Sequence, residues 1–171
     1  MTMEATGEAT GEATTADAAA DRDAGRVLVG VDVAGTALFA ATAVAEAILL
    51  DRWSQVLGVA VALVLFAAGC AMFLVGYAHA IRRSRTEEIS VAGLYLLAGP
   101  AVPAPVKRRL AGLLAIQVIV AITTAGFRTF TPLAFGVLVP VFGLGVNGLW
   151  TARHGRFAPR RRQMKQNAGH G

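Results

Sequence analysis

GYAHAIRRSRTEEISVAGLYLLAGPAVPAPVKRRL, Gly76 to Leu110, decides how the rest of the chain is read. It holds two basic clusters, Arg82, Arg83, Arg85 and Lys107, Arg108, Arg109, with a short apolar insert between them, and long apolar runs lie on both sides. Basic residues that interrupt apolar runs of spanning length mark the loops of a membrane protein. The stretch therefore reads as the central cytoplasmic loop of a small polytopic protein.

Working outward, four runs are long enough to cross a hydrocarbon core of about 30 Å as helices. They cover 27–50, 56–81, 110–127 and 131–150. The fold class is all-α: four transmembrane helices with a short interfacial helix in the central loop. Composition agrees, since 55% of the 171 residues are hydrophobic and 16% charged, with a mean hydropathy of +0.56. The net charge of +5 belongs to membrane topology, and no nucleic acid is expected as a partner. Cys70, the single cysteine, has no internal disulfide partner.

Topology follows from the sixteen Lys and Arg residues. All but Arg52 and Arg128 fall before the first span, in the central loop or after the fourth span. The positive-inside rule then places both termini and the central loop in the cytoplasm. Arginine outnumbers lysine fourteen to two, and alanine, glycine and valine are abundant, the composition expected of a GC-rich bacterial genome, so the chain is expected in a bacterial plasma membrane.

Outside the spans, residues 1–25 are acidic and nearly free of large apolar side chains, and are expected to be a disordered tail. Residues 152–171 form a basic tail punctuated by glycine and proline. Ile89 to Gly99 is apolar but eleven residues long, too short to cross, so it is interfacial, re-entrant or packed under the bundle. Ser84 and Glu87 have capping-box spacing, placing a short helix over 86–99, and PAVPAP is expected to be extended up to the third span.

Asp32 and Glu46 are carboxylates inside the first run, where each costs ~2.5–3.5 kcal/mol near the bilayer centre. They share a face with Thr36, Phe39 and Ala43 but stand about 21 Å apart, too far for one acid/base dyad. By depth, Asp32 is expected near His79 and Asn147, and Glu46 near Thr123, Thr124 and Arg128, with Gln117 between the two levels. Asp32, Glu46, His79, Gln117 and Asn147 are thus the candidate intramembrane polar cluster. Structural satisfaction by interhelical hydrogen bonds is one reading of it; a proton or solute route through Asp32, Gln117 and Glu46 is the other. No metal, cofactor or catalytic constellation is expected, because no spacing matches a metal set, a phosphate loop or a nucleophile with its base.

Small residues supply a packing signal. Gly69 and Gly76 on the second helix, and Gly136 and Gly143 on the fourth, form stripes that suit close helix approach, within the bundle or against a second copy or a membrane partner. Pro140 is expected to kink the fourth helix. Candidate contacts to anionic lipid head groups are Arg82, Arg83, Arg85, Lys107, Arg108, Arg109, Arg160, Arg161, Arg162 and Lys165.

The segments RSRTEEISVAGLYLLAG (Arg83 to Gly99) and TPLAFGVLVPVFGLGVNGLWTARHG (Thr131 to Gly155) resemble those of uncharacterised four-span membrane proteins of high-GC actinobacteria. The resemblance implies the four-span fold and carries no activity. Three function classes remain: a non-enzymatic scaffold or accessory subunit of a membrane complex, a small oligomeric transporter or proton-coupled carrier, and an interfacial lipid-modifying enzyme using Asp32, His79 and the insert.

Overall fold

The computed structural model describes residues 4–49, 51–127 and 132–159. Its elements are α1 (Glu4–Leu49), α2 (Arg52–Arg83), α3 (Val91–Tyr95), α4 (Ala104–Phe127), a 3-10 segment (Pro132–Leu138) and α5 (Pro140–His154). Four helical stretches are long and apolar enough to span a membrane: Asp23–Leu49, Arg52–Arg83, Ala104–Gly126 and Phe135–His154. The protein is an all-α polytopic membrane protein. Its exterior agrees, since Ile48 is 70% and Val64 68% exposed while Asp32 and Gln117 are fully enclosed. Water would penalise that arrangement, whereas lipid is as apolar as the side chains facing it.

Several element ends differ from expectation. Helical backbone in α1 is continuous from Glu4, so residues 4–22 prolong the helix of the first span, which itself starts at Asp23. Alanine and glutamate are good helix formers, and extending an existing helix avoids the cost of a new nucleus. α4 starts at Ala104, before the expected 110, because Pro105 lies in the first turn, where its missing N–H costs no bond. The Lys107 N–H already closes onto the Pro103 carbonyl at 2.9 Å. Ser84 does not open a helix but ends α2, its N–H bonded to the Ala80 carbonyl. The short helix instead starts at Ser90, whose hydroxyl accepts from the Gly93 N–H at 2.9 Å.

Pro140 changes the helix type. With no proline N–H to reach the Gly136 carbonyl, the Val139 N–H takes it at 3.0 Å in a 3-10 bond. The fourth span is thus a 3-10 segment followed by an α-helix that begins inside the bundle.

α2 and α5 run parallel and in very close contact. A Cβ on Gly69 would stand 2.5 Å from the Phe142 Cα, one on Gly76 would stand 2.9 Å from the Gly148 carbonyl carbon, and one on Gly145 would run into the Gly69 carbonyl. Backbone therefore meets backbone along this seam. Around it Phe39, Leu65, Val139, Phe142, Val146 and Trp150 form the main core.

The central insert folds under the bundle: Leu94, Tyr95 and Leu97 are buried. Tyr95 stacks on Phe73 with ring centroids 4.0 Å apart and donates its hydroxyl to the Phe73 carbonyl at 3.0 Å. Leu97 holds a left-handed φ of 54°. Its side chain, only 1% exposed, is anchored among the core residues, which offsets a conformational cost of about 1–2 kcal/mol.

Candidate functional site

The candidate polar cluster resolves into three separate groups. The first lies where α1, α4 and the start of α5 meet. The Gln117 amide nitrogen donates to Asp32 Oδ1 at 3.1 Å and to Thr36 Oγ1 at 2.7 Å, while its Oε1 accepts from the Gly143 N–H at 3.1 Å. The last bond has a local cause. α5 begins at Pro140, and the Val139 carbonyl, which a regular α-helix offers to the Gly143 N–H, accepts from the Phe142 N–H at 2.8 Å in a tighter first turn, leaving the Gly143 donor for another acceptor. Gln117 caps it from the neighbouring helix. Asp32 Oδ2 is enclosed without a hydrogen-bond partner among the described residues.

Glu46 forms a second group. Its carboxylate lies in the space left by Gly58, where a Cβ would collide with Oε1. Thr42, Thr124 and Gly136 line the same small cavity of about 10 Å³. Thr124 is thus near Glu46 as expected, Thr123 is exposed, and Arg128 lies outside the described residues. Phe39, Ala43, Ala62, Leu65, Ala121 and Val139 pack together in one buried cluster between the two carboxylate levels.

The third group is Asn147, which donates to the Tyr95 carbonyl at 3.3 Å and so ties the insert to α5. Its Oδ1 is enclosed without a partner among the described residues. Burial, with Tyr77 adding to it, raises the Tyr95 hydroxyl above its ordinary pKa, which keeps it a donor to Phe73. The expected grouping of Asp32 with His79 is not found. Gly35 packs against Leu65, so Asp32 stands near the level of Gly69, and the partly buried His79 lies about 15 Å farther along α2. The depth estimate failed because it took the first span to start at Val27, whereas helix packing sets α1 deeper.

The basic residues also divide. Arg83 is not free for lipid: it donates to the Ala152 carbonyl at 2.8 Å and the Gly155 carbonyl at 3.0 Å. It also pairs with Glu87 at 2.8 Å and lies 5.4 Å over the Phe157 ring. The guanidinium fork thereby caps the last carbonyls of α5. Lys107 reaches the Gly99 carbonyl at 3.5 Å. Arg82, Arg85, Arg108 and Arg109 are exposed, and Arg160, Arg161, Arg162 and Lys165 lie outside the described residues.

Gly69, Gly76, Gly136 and Gly143 all face atoms of this same chain. The expected partner face is therefore used inside the bundle. Sequence reasoning missed Gly145 as the α5 side of the seam, Gly148 as the space taken by the Tyr95 ring, and Gly58 as the seat of Glu46. The run GLGVNG carried that signal, but its two faces cannot be separated without knowing which neighbour each one meets.

Comparison with known protein families, with curated proteins and with solved structures finds no match.

Proposed function

We propose that this chain is a non-enzymatic scaffold or accessory subunit in a bacterial plasma membrane, with both termini and the central loop in the cytoplasm. One observation carries the reading: among the described residues, every side-chain hydrogen bond of Gln117 fastens one part of the bundle to another. The amide joins α1 to α4 and caps the broken fourth span, which is structural work. The apolar layer around Phe39 and Leu65 that separates Asp32 from Glu46 supports the same reading, since a solute route would have to open it.

A second reading, a small proton-coupled carrier, is favoured by a different observation. A discontinuous fourth span whose α-helical part starts inside the bundle, beside an enclosed carboxyl oxygen without a partner among the described residues, is an arrangement that carriers use at their ion sites. Flux measurements on the full chain in vesicles containing a pH-sensitive dye separate the two. Scaffolding predicts no proton or solute flux above empty vesicles and a stoichiometric membrane partner recovered in mild detergent. A flux that Asp32→Asn abolishes overturns it in favour of the carrier.

A further inference from the structure

A cleft of about 950 Å³ opens at the end of the bundle that carries the central loop, between α1, the start of α4 and the end of α5. Arg26, Arg109, Arg156 and His154 line it, and among the described residues every ionisable side chain in that lining is basic. Deeper along the same cleft the wall is apolar, made by Val29 and Val33 of α1, while Val106 of α4 adds apolar surface at the level of the arginines. Trp150 supplies a fixed side, its indole N–H bonded to the Gly25 carbonyl at 3.2 Å and its ring stacked on His154 at 5.2 Å. The backbone of Arg156 is held by its N–H bond to the Ala101 carbonyl at 2.9 Å. At Gly30 an added Cβ would meet nothing within 4 Å, so α1 leaves real space there.

We propose that this cleft binds one anionic phospholipid, with its phosphate among Arg26, Arg109 and Arg156 and an acyl chain along Val29 and Val33. The charges are complementary, and they sit at the depth where a head group lies. Arg26 is three residues into the first span, which starts at Asp23, and Arg109 five residues into the third, which starts at Ala104. Val33 is about 15 Å inside the first of those starts, at acyl-chain depth. A soluble anion would use the arginines and leave the apolar wall unused; a phospholipid uses both. Asp23 pairs with Arg26 at 3.5 Å, but their side chains are 73% and 83% exposed, and such a pair is too weakly held to keep the guanidinium from a phosphate. Basic pockets between membrane helices are suited to anionic head groups, whereas an isolated surface arginine is not selective. The site stands independently of the scaffold reading.

Native mass spectrometry of the full chain released from mild detergent tests the site, with phosphatidylglycerol and phosphatidylcholine of matched acyl chains as probes. Phosphatidylglycerol should be retained in preference. Arg109→Gln should lower its retention about fivefold and the Arg109→Gln, Arg156→Gln pair about 25-fold, from ~1 kcal/mol per arginine. Arg52→Gln, at the opposite end of the bundle, should change nothing. Gly30→Phe should block retention by filling the cleft, without lowering the melting temperature. Equal retention of the two lipids, or phosphatidylglycerol retention unchanged in the double variant and in Gly30→Phe, overturns the proposal. Displacement of bound phosphatidylglycerol by equimolar sn-glycerol 1-phosphate also overturns it, assigning the cleft to a soluble phosphate ester.

Discussion

Gln117 and Asp51 show how much a single polar residue fixes in this bundle. Gln117→Leu keeps the volume but leaves the Gly143 N–H, Thr36 and Asp32 without their interhelical partner. At ~0.6 kcal/mol for each membrane hydrogen bond, the loss should be about 2 kcal/mol, read as an earlier midpoint in an SDS titration from mixed micelles. Asp51 works outside the membrane, as the N-cap of α2. Hydrogen bonding by Ser54 holds its carboxyl below the usual carboxylate range, outweighing desolvation. A depressed native pKa means that this cap's contribution is present above the unfolded value and fades as pH falls through the lower native one. The carboxyl carbon shift of Asp51 should therefore titrate below that of a model aspartate, and Ser54→Ala should move the midpoint up. A midpoint at the ordinary value would remove the cap from the account.

At the scale of elements, the seam between α2 and α5 governs stability. Gly69→Leu puts a side chain where the Phe142 backbone now lies, so the helices must separate, at a cost of about 3 kcal/mol. Gly112→Leu is the matched control. Nothing lies within 4 Å of its Cβ position, and its effect should stay within about 0.5 kcal/mol. Thermal unfolding in detergent checks both, and equal losses would refute the seam. Sequence periodicity picked out Gly69 and Gly76 correctly as a small-residue stripe. It could not say that the matching surface would be Gly145 rather than Gly136 and Gly143, because all three lie on α5 or just before it and face different neighbours.

For the whole molecule, the proposed orientation makes a direct prediction. Single cysteines placed at Ser54 and Ser90, in a Cys70→Ala background, should react with an impermeant thiol reagent from opposite sides of the membrane, position 90 only from the cytoplasm. Labelling of both from one side would remove the second span, and labelling of position 54 from the cytoplasm with position 90 from outside would reverse the orientation. Chain length and apolar runs were enough to determine the helical class and the number of spans, since crossing a bilayer demands ~20 apolar residues with every backbone group paired within the helix. The depth and partners of the polar residues were not legible. A carboxylate at a given position in a run has several helices it can turn toward, and only packing selects among them. Tertiary structure alone decided that Asp32 meets Gln117 and not His79, that Arg83 caps α5 in place of contacting lipid, and that the insert 89–99 lies under the bundle with Tyr95 against Phe73. Each of these depends on which surfaces approach closely enough to exclude lipid, and that is set by where the glycines of different helices coincide.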